Sequence, residues 1–179
     1  IEDDLAQRDL SIEAIAIRSD GGYVDPFGGR FDIRNRVIRL TGDNVDLISA
    51  DPLRILRMLR FAAELEMDMF WKTTSDVRAF LEAHAERMEE IPSERWGREI
   101  MKGITKRPYT FISLCDDFNL IKYFLKELDD LKHNDLYEHV LGLLKVIEQR
   151  LDVNKLMQSD AFVLAGLFSL AGTNKLDGS

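Results

Sequence analysis

Ala50-Asp51-Pro52-Leu53-Arg54-Ile55-Leu56-Arg57-Met58-Leu59-Arg60-Phe61 reads as a helix opened by a proline. Pro52 at the first helical position sacrifices nothing through its missing N–H, and Asp51 stands where a side-chain oxygen caps a first turn. Leu53, Leu56, Leu59 and Ala63 recur at helical spacing and form an apolar stripe, while Arg54, Arg57 and Arg60 join Asp51 on the polar side. Asp51 and Arg54 are three residues apart, so both side chains emerge from one face. A carboxylate beside a planar guanidinium fork complements the edge of cytosine or adenine, where an amino donor sits next to a ring-nitrogen acceptor. Uracil and guanine would turn a carbonyl towards the carboxylate. Such a pair selects C and A against U and G without a template. The same spacing also suits a helix cap with a surface ion pair worth well under ~1 kcal/mol, so spacing alone leaves both readings open.

Three further segments bear on the choice. They are Arg8-Asp9-Leu10-Ser11-Ile12-Glu13-Ala14, then Val24-Asp25-Pro26-Phe27-Gly28-Gly29 with Asp32-Ile33 and Val37-Ile38-Arg39, then Ile91-Pro92-Ser93-Glu94-Arg95-Trp96. In this order, with the helix above, they resemble the class II tRNA nucleotidyltransferase (CCA-adding enzyme) and bacterial poly(A) polymerase family, whose patterns read approximately RRDFTINA, DPFGG..DL....IR, EDPLRILRAxRF and IS.ERI. The resemblance covers residues 5 to 105 or so, a little over half of the chain. It implies an α+β fold. The short C-terminal remnant of a nucleotidyltransferase sheet domain occupies 1–41, and a mainly α-helical neck that recognises the base follows over 42–105. A helical body, RNA-binding or degenerate HD-like, occupies 106–179.

The resemblance also assigns roles. Asp51 and Arg54 match the family's base-reading pair. Arg8 and Asp9 match residues that hold the triphosphate and ribose region of the incoming nucleotide. Arg57 joins them as a nucleotide-binding residue, with Arg60 and Arg95 in support. The helix from Ser93 offers Trp96, Ile100 and Met101, expected to dock against Leu56, Leu59 and Ala63, with Arg95 holding Arg54 in its reading rotamer. The implied substrates are ATP and CTP, and the implied partner is the 3′ end of tRNA or another RNA. Three positions depart from the pattern: Gln7 replaces the first Arg of RRD, Glu13 the Asn of INA, and Ala50 the Glu of EDxxR. Glu13 places an extra negative charge near a triphosphate.

Family enzymes hold Mg2+ with an Asp-x-Asp pair on an early strand, behind a Gly-Gly or Gly-Ser loop. No Asp-x-Asp occurs in this chain, and Asp3-Asp4 has the wrong spacing. The expectation is a fragment whose Mg2+ ligands lie upstream of Ile1 and which alone transfers no nucleotide. Addition of C and A to tRNA is the leading reading. An A-only or poly(A)-adding enzyme and a catalytically dead RNA-binding relative are the alternatives, the last favoured by Glu13 and Ala50.

Composition sets outer limits. The 179 residues, 45% of them hydrophobic, suffice to bury a core. No run of eighteen apolar residues marks a membrane span, no signal peptide is visible, and the expected location is cytoplasmic. The net charge of −8 argues against tight sequence-independent RNA binding and against the poly(A) branch, which carries a basic extension. Between Arg30 and Arg60, however, seven arginines face four aspartates, and no lysine occurs there. The single cysteine, Cys115, sits in an apolar stretch and reads as core.

Along the chain, Ser19-Asp20-Gly21-Gly22 signals a hairpin turn, and residues 37–40 read as a strand. Beyond residue 42 the helical period dominates, with helices expected at 43–49, 51–66, 73–84, 93–105, 107–117, 119–128, 136–151 and 158–171. Residues 135–172 look like an eroded HD phosphohydrolase region. His139 stands at the first ligand position, but Ser169 and Leu170 occupy the His-Asp positions, and a lone histidine holds no catalytic metal.

Overall fold

A computed structural model describes residues 1–150. It divides into two compact units, Ile1–Pro92 and the chain from Ser93 onward. The expected helix at 158–171 and the Ser169-Leu170 positions lie outside the described residues.

The first unit opens with α1 (Glu2–Leu5), a 3-10 turn (Ser11–Glu13) and an antiparallel hairpin of β1 (Ala16–Ile17) and β2 (Tyr23–Val24). The turn is the expected one. Arg18 N–H donates to the Gly22 carbonyl at 2.7 Å, Gly21 takes φ +84°, and Gly22 N–H donates to Asp20 Oδ1 at 2.8 Å.

Helix α2 (Gly29–Asn35) was not expected, because two glycines at its start hide the helical period. The Asp25-Pro26-Phe27-Gly28-Gly29 stretch builds its start. Asp25 accepts from Gly29 N–H at 2.7 Å and Arg30 N–H at 3.0 Å, satisfying two of the helix's orphan donors. Gly28 sits in the left-handed region at φ +71°. A Cβ on Gly29 would lie 2.0 Å from the Ser11 carbonyl oxygen, so only glycine lets this helix approach the 3-10 turn.

Arg36 ends α2 at φ +54° and reaches the far end of the next long helix, donating to the Leu65 and Glu66 carbonyls at 2.8 and 2.7 Å. A cation there satisfies orphan carbonyls and complements the helix dipole. The strand β3 (Val37–Ile38) pairs in parallel with β4 (Asp68–Met69), which periodicity did not reveal.

Three helices complete the unit: α3 (Asn44–Ala50), α4 (Leu53–Leu65) and α5 (Trp71–Ala83), followed by the single turn α6 (Glu86–Glu89). Asp43 caps α3 through Val45 and Asp46 N–H. The apolar stripe of α4 is buried as expected, and Ile55, Met58 and Ala62 are buried too. The helix is therefore buried on most of its circumference, packs against α3 and β3, and has a narrow polar side.

The second unit is helical: α7 (Ser93–Lys106), α8 (Pro108–Asp117), α9 (Ile121–Phe124), α10 (Lys126–Asp130), a 3-10 turn (Leu131–His133) and α11 (Asp135–Arg150). The helix expected at 119–128 is two short ones, broken at Leu125 with φ −142° and ψ 62°. Gly103 admits the Phe111 ring, which a Cβ would meet at 2.6 Å. Trp96 stacks on Tyr123 and tilts against Phe124, ring centroids 6.2 and 5.5 Å away, so it finds aromatic partners inside its own unit. Glu148 of α11 caps α8, accepting from Thr110 N–H at 2.9 Å and its hydroxyl at 2.6 Å. Cys115 is fully buried, and that burial, with Asp116 beside it, pushes its thiol well above the ordinary range.

Candidate nucleotide-binding site

The first unit gathers four charged side chains from sequence positions up to 48 residues apart. Asp9 arrives on a short extended stretch. Residues 9–11 lie antiparallel to 39–41, with Thr41 N–H donating to the Asp9 carbonyl at 3.2 Å and Ser11 N–H to the Arg39 carbonyl at 2.9 Å. The Thr41 hydroxyl donates to the Arg8 carbonyl at 2.6 Å.

Asp51 is at the junction of α3 and α4, not inside the helix. Its extended backbone, φ −149°, ends one helix, while its carbonyl accepts Arg54 N–H at 3.0 Å and its Oδ1 accepts Leu53 N–H at 3.3 Å. The capping role expected of Asp51 is thus present. The shared-face argument is not the geometry by which Asp51 and Arg54 are brought together. Asp51 meets α4 from the end, and an intervening network sets its place.

That network centres on Asp9 and Arg57. Arg57 Nη1 donates to Asp9 Oδ2 at 2.6 Å, and its Nη2 to Asp51 Oδ2 at 3.2 Å. Arg54 Nε lies 3.2 Å from Asp9 Oδ1, an ion pair without hydrogen-bond alignment. The four side chains are 16–25% exposed, so their charges are only partly screened by water. Arg54 Nη1 is buried and has no hydrogen-bond partner among the described residues. A buried guanidinium N–H without a partner carries an unmet desolvation cost that a ligand acceptor relieves.

The remaining sequence-assigned residues fall into different places. Arg8 is exposed and pairs with Asp4 of α1 at 3.1 Å. Arg60 is buried, paired with Glu64 at 3.0 Å and set over the Phe61 ring at 4.1 Å. Arg95 lies half-buried in the first turn of α7, in the second unit. Glu13 sits at the edge of the cluster. Partial burial and the Asp9 carboxylate raise its pKa above the ordinary 4.5, against the pull of Arg60, Arg8 and Arg57. Ala50 closes α3 with an exposed methyl where the family's glutamate would stand.

A second network, absent from the sequence-assigned site residues, holds the first in place. Asp32 of α2 is buried and accepts from the Ser11 hydroxyl at 2.5 Å and from Arg39 Nε at 2.9 Å. Arg39 Nη2 donates to the Phe27 carbonyl at 2.7 Å. This ties the strand stretch carrying Asp9 to α2. The signal was available: Asp32 and Arg39 belong to the quoted motif, and an aspartate within a helix whose neighbours are glycines marks a tertiary partner.

No group of three or more His, Cys, Asp or Glu that could hold a metal occurs among the described residues. With no Asp-x-Asp in the sequence, the residues of this chain do not fit a Mg2+ pair. His139 is exposed, and its Nδ1 lies 2.8 Å from the Asp135 carbonyl one helical turn back.

Comparisons with known proteins agree on one family. Residues 1–39 match the model of the poly A polymerase head domain. The multifunctional CCA protein of Azoarcus sp. (strain BH72) is 34% identical over 83% of this chain and 37% of its own. The multifunctional CCA protein of Vibrio parahaemolyticus serotype O3:K6 (strain RIMD 2210633) is 33% identical over 73% of this chain and 32% of its own. The chain therefore spans 32–37% of the length of these two relatives. Among solved structures, the Bacillus stearothermophilus CCA-adding enzyme in complex with CTP matches with a TM-score of 0.65 and 25% identity, covering 92% of this chain and 46% of that one. The chain belongs to the family of tRNA nucleotidyltransferases (CCA-adding enzymes) and bacterial poly(A) polymerases.

Proposed function

We propose that this chain is the base-reading part of a tRNA nucleotidyltransferase that adds C and A from CTP and ATP to the tRNA 3′ end. In that reaction the terminal 3′-hydroxyl attacks the α-phosphorus and pyrophosphate leaves. The observation that carries the reading is the unpartnered Nη1 of Arg54 in the same charge network as the clasped Asp51 carboxylate. An acceptor oxygen and a free donor held in one network suit the amino and ring-nitrogen edge of C or A. Arg57 acts as the clasp that fixes Asp51 against Asp9, which refines its assignment as a nucleotide contact. Arg8 faces outward to meet phosphate, and Arg60 and Arg95 support from outside the cluster.

On this reading residues 1–41 belong to the catalytic head, 42–105 to the base-reading neck and 106–179 to an RNA-holding body. A Mg2+ ion bound at an Asp-x-Asp pair, which this chain lacks, would supply charge stabilisation for the leaving pyrophosphate, so this chain by itself is not expected to transfer nucleotides. The reaction takes place in the cytoplasm. A second reading has its own observation. Glu13 brings a carboxylate to the edge of the Asp9 cluster, where the incoming triphosphate would lie, which favours a catalytically dead RNA-binding relative.

Single-nucleotide incorporation decides between these readings, using the whole protein that carries this chain and tRNA primers lacking CCA. C and A incorporation without U or G is the expected result. Incorporation of A alone identifies the A-adding branch, and tRNA binding without incorporation identifies the dead relative.

A further inference from the structure

The first unit holds a second concavity, distinct in its lining from the Asp9–Asp51–Arg54–Arg57 cluster. A cleft of about 350 Å³ is bounded by Pro26 and Phe27 before α2, by Arg39 to Asn44 between β3 and α3, and by Phe70, Lys72 and Thr73 at the start of α5. That volume is at the small end of ligand-binding clefts.

Helix α5 is 13 residues long and begins without a side-chain cap, since Phe70 at its N-cap offers no acceptor. The first backbone bond into the helix runs from Thr74 N–H to the Phe70 carbonyl, which leaves the amides of Trp71, Lys72 and Thr73 without an acceptor inside it. No acidic side chain stands in the first turn to replace one. The feature that turns this from a helix end into a site is Thr73. Its side chain is fully buried at the cleft wall, and its hydroxyl has no hydrogen-bond partner among the described residues. A buried hydroxyl beside free helix amides is a cost the fold carries unless an acceptor arrives.

Charge and shape narrow the acceptor. Arg39 and Lys72 line the cleft against a single lining carboxylate, Asp43, whose Oδ1 already accepts from Val45 and Asp46 N–H at 3.0 and 3.3 Å. Asp32 and Asp76 hold Arg39 and Lys72 in place at 2.9 and 2.7 Å. The Phe27 and Phe70 rings supply apolar walls, with the Arg39 guanidinium 5.9 Å from the Phe70 centroid. Two lining amides, a hydroxyl and two cations at a helix N-terminus match the tetrahedral oxygens of phosphate.

We propose that this cleft binds a phosphate group, received from a nucleotide or from an RNA backbone, with the Lys72 and Thr73 amides, the Thr73 hydroxyl and the Lys72 ammonium as its donors. The site does not depend on the base-reading proposal, because it shares none of that cluster's four side chains.

The test is a titration of the 179-residue chain with inorganic phosphate, followed through the backbone amide resonances. Saturable shifts of the Lys72 and Thr73 amides, with a dissociation constant on the order of millimolar, are expected. Thr73→Val keeps the shape and removes the orphan hydroxyl, and Lys72→Gln removes an exposed charge together with its ion pair to Asp76. Each should weaken binding about tenfold. Competition with CMP and with a short RNA hairpin then identifies the source, according to which displaces phosphate at lower concentration. Absence of saturable shifts at residues 72 and 73 overturns the proposal, and so do shifts of equal affinity in both variants.

Discussion

Each unit contains a partly buried network of acids and cations, and the two differ in how completely they are closed. In the second unit, Asp116 accepts a short hydrogen bond from the Tyr137 hydroxyl and meets Lys132 at 2.6 Å, and Lys132 meets Asp129 at 2.7 Å. Burial, then the Asp116 carboxylate, push the Tyr137 hydroxyl pKa far above its ordinary value, so it remains a proton donor at any physiological pH. In the first unit, Asp9 holds two arginines and Arg57 holds two aspartates, yet Arg54 keeps a buried N–H without a partner. The second-unit network buries an Asp129 Oδ1 that meets Lys132 only as an ion pair, but its donors, Tyr137 and Lys132, both have acceptors, and such a network fixes a fold. One with a free donor is arranged for something not yet bound.

The largest effect should come from breaking the open network at its centre. Asp9→Ala removes the carboxylate that Arg54 and Arg57 share, and loss of one partner in a buried ionic group costs about 3 kcal/mol. Denaturant unfolding should show that loss, with Asp51→Ala losing less because Asp9 bridges both Arg54 and Arg57. Equal losses would show that Asp9 is not the hub.

Asp32→Ala should follow, at about 2 kcal/mol. It leaves the Ser11 hydroxyl and Arg39 without their shared acceptor, softened by the partial exposure of Arg39. Thermal unfolding would measure it.

Tyr137→Phe sharpens the contrast between the networks. It should cost about 1 kcal/mol of stability and leave nucleotide selectivity unchanged, since the closed network has no ligand to select. A change in selectivity would contradict the division of roles.

The smallest effect is a pH dependence at Glu13. Its folded pKa lies above the unfolded one, so the native state binds the proton more tightly. Stability from this group is present below pH 4.5 and declines as pH rises through the raised value. Glu13→Gln should therefore be slightly more stable than the parent at neutral pH, with the difference vanishing in acid. Stability curves against pH for the two proteins would reveal it, and a gain that persists in acid would point to another cause.

Much of this was legible in the sequence. The α4 stripe, the hairpin turn and the boundaries of α3, α7 and α8 followed from periodicity, caps and glycines, all local signals. What escaped was non-local. The β3–β4 pairing joins two-residue strands far apart in the chain, too short for any alternation to register. Helix α2 begins on glycines required by the close approach to Ser11, a tertiary constraint that contradicts local propensity. The motif brought Asp9, Asp51, Arg54 and Arg57 together, but only the fold distinguishes Arg54, with its unpartnered donor, from Arg57, which clasps two aspartates. Thr73 carries no sequence signal, because an orphan hydroxyl is defined by its surroundings.

The most direct test of the account is the ratio of CTP to UTP incorporation on a tRNA primer, measured for the whole protein and for its Asp51→Ala and Arg54→Ala variants. The account predicts that the ratio falls about tenfold or more in each, since losing one partner of the reading pair costs roughly 1–3 kcal/mol for the correct base. An unchanged ratio in both variants would contradict it and leave the Asp51–Arg54 corner as structure alone.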